Sequence, residues 1–225
     1  MQQALPKKGT LYSLSTGTSH STPAVAGAAA LLRDHHRRTQ GQVPSPALTK
    51  AILVNTASDL AGGANVGGSA PNFNQGWGLV NLASAFDTTA RSYVDQSEVF
   101  DESGEDFQRS YTVSDTSRPV RITLVWTDPP GVVFSPTSYV NNLDLEVERN
   151  GDTYRGNNLS GGESQEGGTA DPANNVEAIV FTAGTAGTFN LDVIATNLAG
   201  DGVPGNSEDI DQDFALVVSN ATPTP

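Results

Sequence analysis

Cysteine is absent from the sequence, which excludes disulfides, thiol nucleophiles and thiolate metal sites. No run of about 18 apolar residues occurs, so the sequence holds no candidate for a membrane-spanning helix. Positive charge is scarce. Lys7, Lys8 and Lys50 are the only lysines, and 12 Lys and Arg stand against 25 Asp and Glu, for a net charge of −13. That surplus argues against nucleic acid or an anionic membrane as a partner. The imbalance is uneven: residues 1–90 carry +3, and residues 91–225 carry −16. Excess carboxylate of this kind fits calcium binding, a saline habitat or plain solubility. Met1-Gln2-Gln3 reads as a start, with no charged n-region and apolar core of a signal peptide.

What is present begins at Gly17-Thr18-Ser19-His20-Ser21-Thr22-Pro23, followed directly by the small apolar run Ala24 to Leu32. A serine on a tight Gly-Thr turn opens a small-residue helix. Its hydroxyl then stands where backbone N–H groups converge and where the helix dipole favours negative charge. Acyl transfer needs such a place, because an alkoxide-like nucleophile and an oxyanion both develop there. An ordinary capping serine would account for one residue of this string but not for the rest.

The string resembles the nucleophile motif of the subtilisin-like serine peptidases, Gly-Thr-Ser-x-[Ala/Ser]-x-Pro followed by a Val-Ala-Gly helix. The resemblance implies that Ser19 is the nucleophile of an Asp/His/Ser triad. Two positions depart from the pattern: Thr16 precedes Gly17 where the family has serine, and His20 stands where it has methionine. The family sets that side chain at the edge of the active site, so His20 is a candidate site residue, as a passive wall or as a base. Neighbouring side chains at a helix start diverge by roughly 100°, which disfavours the base role. His35 and His36 lie about 24 Å further along a straight helix and serve caps or surface. The family's triad Asp and His, and the Asn that helps bind the oxyanion, lie far upstream of the serine, and only 18 residues precede Ser19 here. The resemblance therefore implies the C-terminal portion of such a peptidase, incomplete as a peptidase in this chain and of secreted origin.

The likeness extends further. Pro46 to Ala57 is similar to the helix that follows the serine helix, and Gln75-Gly76-Trp77-Gly78-Leu79-Val80-Asn81 is similar to the segment that closes the catalytic domain. Leu124 to Pro130, Asn141 to Leu145 and Asn174 to Glu177 resemble the appended β-sandwich of the oxidatively stable alkaline protease type.

The pattern along the chain fits two parts. Ser19 to about Arg38 reads as a helix capped by Thr18 or Ser19, with Pro23 in its first turn. Ser45-Pro46 starts a second helix, Gly62 to Asn74 is loop, Leu79-Val80 a short strand, and Leu82 to Phe86 a last helical turn. After Asp87, residues 121–126, 143–148 and 189–194 alternate with period two, Asn150-Gly151 signals a hairpin, and Val176 to Thr182 and Phe214 to Val218 add strands. Ala221 to Pro225 reads as a polar tail. The fold class expected is an α/β remnant, the C-terminal part of a subtilisin-like catalytic domain over 1–90, followed by an all-β antiparallel sandwich or jelly roll over 91–225.

Asn142, Asp144, Asp171, Asn174, Asn175 and Glu177 form two oxygen-rich clusters on loops and strand ends. Calcium takes six to eight such oxygens. The resembling peptidases bind calcium in the sandwich, so structural calcium is the cofactor expected, and turn chemistry is the alternative. Asp209 to Asp213 lacks the glycine and glutamate of an EF-hand loop and reads as an acidic, solvated strand face. Three functions stay open. One is a serine endopeptidase segment acting on peptides. The second is an esterase on small activated esters working without the triad. The third is a non-catalytic module binding calcium or a partner. The apolar faces at Val25, Ala29, Leu32, Ile52 and Val54 need a cover, from a second copy, from the family's N-terminal catalytic fragment, or from repacking on the sandwich.

Overall fold

The computed structural model describes residues 15–60, 62–63, 66–135 and 139–225. Contacts divide the chain into two compact units, Met1–Val43 and Pro44–Pro225. In the first, α1 runs Thr18–Gln40. It stops at Gly41, whose φ of 77° is the left-handed conformation glycine adopts freely and whose N–H reaches the Arg37 carbonyl. The start differs from the expectation. Gly17 is the cap, no side chain caps the helix, and Pro23 sits inside it, in the second turn.

The second unit is β-rich with few helices. Its helices are α2 (Pro46–Asn55) and α3 (Leu82–Ala85). Its strands are β1 (Arg91–Phe100), β2 (Asp106–Val113), β3 (Val120–Val125), β4 (Asn142–Arg149), β5 (Asp152–Ser160), β6 (Glu163–Glu166), β7 (Val176–Phe181), β8 (Thr188–Asn197), β9 (Gln212–Ser219) and β10 (Ala221–Pro223). Four strands form one sheet in the order β1-β9-β3-β7, and six form another in the order β10-β2-β8-β4-β5-β6. All these pairings are antiparallel. One core holds residues of both sheets: Ile122, Leu124, Phe214 and Leu216 from the first, Leu143, Leu145, Leu191 and Val193 from the second. Alternation does this, since every second side chain of a strand faces the same way.

β9 departs from alternation and is buried along its whole length. Its other face is covered by α2, which packs on β3 and β9. A strand covered on both faces reads as a continuous apolar run, as Phe214-Ala215-Leu216-Val217-Val218 does. Asn55 at the end of α2 ties the layers. Its Nδ2 donates to the Arg121 carbonyl (3.0 Å) and Thr123 Oγ1 (3.1 Å), and its Oδ1 accepts from Ser219 Oγ (2.5 Å). Ile52 is buried in this packing, so the cover it needs comes from the β-sheet unit itself. By contact, then, α2 and α3 belong with the strands.

The hairpin at Asn150-Gly151 forms between β4 and β5, with positive φ at both residues (59° and 92°), as a tight two-residue turn demands. β1 was not legible because a bulge interrupts it between Asp95 and Val99, and Gln96 and Glu98 hold positions where alternation asks for apolar residues. The expected polar tail is in fact β10: Ala221 is buried in the core and pairs with Val113. Leu79 makes only a single bridge, with Ser58. The acidic strand face is also corrected. Asp211 is buried, and its carboxylate accepts from the N–H groups of Gly202 and Val203 and from Asn206 Nδ2.

Candidate functional site

The Ser19 site is made by the backbone before it. Gly17 has φ 156° and ψ 160°, a conformation essentially reserved for glycine, and it turns the chain abruptly into α1. The Gly17 carbonyl accepts from the N–H of His20 (3.0 Å) and of Ser21 (3.3 Å). The N–H groups of Thr18 and Ser19 precede these bonds and have no acceptor within the helix. Pro23 carries no N–H, so the Ser19 carbonyl also lacks its helical partner. There is no acidic residue in the first turn. Ser19 is exposed, at the positive end of the helix dipole, beside N–H groups that have no acceptor among the described residues. This is an arrangement for stabilising developing negative charge at a serine oxygen.

His20 does not face Ser19. Its Nε2 is 2.7 Å from Ser15 Oγ, on the other side of the turn. Among the described residues, Ser19 Oγ has no hydrogen-bond partner, and no imidazole or carboxylate is placed to take its proton. Arg37 and Arg38 pair with Asp34 toward the far end of the helix.

The six expected metal residues separate into distinct roles. Asp171 clamps a loop: one oxygen accepts from Asn157 Nδ2 (2.6 Å) and Asn174 Nδ2 (2.7 Å), and the other from the N–H of Ala173 (3.0 Å). Burial would raise its pKa, but these donors hold the carboxyl below the usual value. Asn175 bonds the Trp126 carbonyl and receives Lys50. Asn142 donates to Asp144, which also accepts from Thr196 Oγ1 (2.5 Å). Glu177 differs from the others. It is 1 % exposed, its Oε2 accepts from the N–H of Leu145 (2.8 Å), and its Oε1 is buried with no partner. Burial, together with the nearby Asp144, Asp171 and Glu146, pushes its pKa up to about 9. Gly156 is required opposite it, because a Cβ there would collide with the Glu177 carboxylate. Among the described residues no three acidic or imidazole groups converge on one point. Sequence reasoning missed that Gly156 makes room for Glu177, since a glycine within a strand signals close approach without naming its neighbour.

Ser19 thus stands at a helix start that no side chain caps, behind a glycine-only turn. Residues 5–78, a stretch that includes Ser19, match the family model described as the subtilase family. Two proteins of Dictyostelium discoideum are similar across most of the chain. They are the serine protease/ABC transporter B family proteins tagA, 31 % identical over 205 residues, and tagD, 30 % identical over 241 residues. These alignments cover 81 % and 80 % of this chain but only 11 % and 13 % of the relatives.

Proposed function

We propose that this chain supplies the nucleophile segment and an appended β-sandwich, jelly-roll-like module of a subtilisin-like serine peptidase, with Ser19 forming the acyl-enzyme. The observation that carries this reading is the Gly17 turn, which presents Ser19 Oγ beside the open N–H groups of Thr18 and Ser19. A serine hydroxyl is a weak nucleophile without a base, and a positioned base is worth ~10²–10⁴ in rate. His20 is engaged with Ser15, and His35 and His36 are far along the helix. Efficient peptide cleavage by Ser19 therefore calls for an Asp and a His outside this sequence, and activated esters are the substrates a site without them turns over first. A fluorophosphonate probe tests the role: it is expected to label the chain and to leave Ser19→Ala unlabelled. Equal labelling of both removes Ser19 as nucleophile.

A second reading rests on Glu177. Its orphaned Oε1, with Asp144 close enough to raise its pKa, fits a hard cation in charge and donor type. Asp171 and Asn175 fit less well, because both Asp171 oxygens accept from neighbouring amides and the Asn175 oxygen accepts from Lys50. We propose structural calcium held by Glu177 through Oε1, with Asp144 contributing if it gives up its bond from Asn142 or Thr196 and backbone or water oxygens completing the shell. Millimolar calcium should raise the melting temperature above that in EDTA, by the linkage that stabilises whatever state binds the ligand. An unchanged melt ends this reading.

A further inference from the structure

A cleft of about 470 Å³ opens in the second unit below the C-terminal end of α2, and Arg91, Arg118 and Arg121 line it with Asp59 and Asp87. The three arginines are used differently. Arg91 is spent: its side chain is 7 % exposed, and it bonds Asp87 (2.8 Å), the Ser84 carbonyl (2.6 Å) and Ser219 Oγ (3.2 Å). Arg121 is half spent. Strand alternation sends Val120 and Ile122 into the core and Arg121 to the opposite face, under α2. Its Nη1 donates to the carbonyls of Asn55 (3.3 Å) and Ala57 (2.9 Å), a cation closing a helix C-terminus. Its Nε and Nη2 have no hydrogen-bond acceptor among the described residues, and it has no ion pair there. Asp59 acts on it only at longer range, against the cost of burial.

Arg118 is the exposed member. It is 46 % exposed, with Nη1 on Thr89 Oγ1 (2.5 Å) and Asp87 (3.4 Å) and Nε on Asp115 (3.5 Å). Its Nη2 has no partner among the described residues. Asp87 is already neutralised between Arg91 and Arg118. Burial would raise its pKa, but Thr89 and Arg91 hold the carboxyl below the usual value. The cleft lining holds three arginines and two aspartates, and Asp115 beside it pairs with Arg118, so what sets the cleft apart is not net charge but the guanidinium N–H groups left without an acceptor, within a region, residues 91–225, that carries −16.

We propose that this cleft binds a small oxyanion, a carboxylate or a phosphate, held by the unused edge of the Arg121 guanidinium and by Arg118. A guanidinium offers parallel N–H donors that match two oxygens of one oxyanion. Burying a guanidinium without a counter-charge is costly, so an anion with matched geometry recovers part of that cost. The volume lies in the range of small-ligand pockets, enough for a phosphate or the C-terminal end of a peptide.

The test titrates the 225-residue chain with inorganic phosphate and with N-acetylglycine, a peptide-like carboxylate, at ionic strength held constant with chloride. Calorimetry and melting are both read. A saturable response to at least one probe is expected, and the stronger probe identifies the source of the oxyanion. Arg121→Lys keeps the charge but loses the fork, and should weaken binding by about tenfold or more. Should that variant misfold, Arg118→Gln, at an exposed side chain, carries the test, with binding weakened about fivefold or more. No saturable response to either probe overturns the proposal. So does binding that both variants leave unchanged, the result expected if Arg121 only closes α2 and ions associate adventitiously.

Discussion

The helix that presents Ser19 and the two-sheet unit that follows it are held together on different scales. In α1 local polar contacts recur: Thr22 Oγ1 to the Thr18 carbonyl, Thr39 Oγ1 to the His35 carbonyl, and Asp34 to Arg37 and Arg38 one turn away. In the second unit, side chains bridge distant parts of the chain. Asn55 meets Ser219, 164 residues away. Asn141 donates to the carbonyls of Gly200 and Asp211 and to Gln212 Oε1, and accepts from the N–H groups of Ala199 and Gly200. The difference is one of reach along the chain. The site needs a short stretch with one unusual backbone turn, whereas the sheets need long-range polar clamps around an apolar core.

That contrast can be broken most forcefully at Asn141. Its replacement by alanine leaves buried backbone donors and acceptors of two loops unpaired. Buried groups left unsatisfied cost about 1–3 kcal/mol each, so a loss of about 3 kcal/mol or more is expected in chemical denaturation. A loss below about 1 kcal/mol would show that water replaces the amide and that the clamp is not structural.

Glu177→Gln sharpens the comparison through pH. The folded-state pKa of Glu177 is raised from 4.5 to about 9, so between those values the native state holds a proton that the unfolded state has released. Stability contributed by the protonated carboxyl is complete below pH 4.5 and is lost as pH rises toward 9. In EDTA the wild-type melting temperature should therefore fall across this window relative to the glutamine variant, by several degrees at the alkaline end. If calcium binds there, it should erase the difference by stabilising only the wild type. Parallel pH profiles in EDTA would refute the uncompensated burial.

In the helix segment the expected effects are smaller and more local. Gly17→Ala forces a side chain into a backbone conformation costing about 1–3 kcal/mol, and this should loosen the helix start and reduce fluorophosphonate labelling of Ser19. The melt of the sheet unit should stay where it was, and a shift there would contradict the separation. Asp34→Asn removes an exposed carboxyl held below its usual pKa by Arg37 and Arg38, and salt screens such pairs. No measurable change in melting is expected, and a clear drop would mean that the pair matters beyond its own helix.

The sequence by itself determined the features that act over a few residues. Gly17-Thr18-Ser19 marks the helix start because only glycine takes the turn before it, Ser45-Pro46 caps α2, and Asn150-Gly151 closes a hairpin because both positions need positive φ. The strands β3, β4 and β8 were legible because every second residue is apolar and faces the core. What only the tertiary structure decided is whatever depends on a partner far along the chain. β10 is a strand because β2 lies beside it, and Glu177 is anomalous because Gly156, Asp144 and Leu145 enclose it. Arg121, isolated in an apolar strand, gains its role from the carbonyls at the end of α2. His20 bonds Ser15, a partner that the nucleophile-like motif itself does not name. Local backbone preference is written residue by residue, but burial and electrostatic environment are properties of neighbours that the chain brings together only on folding.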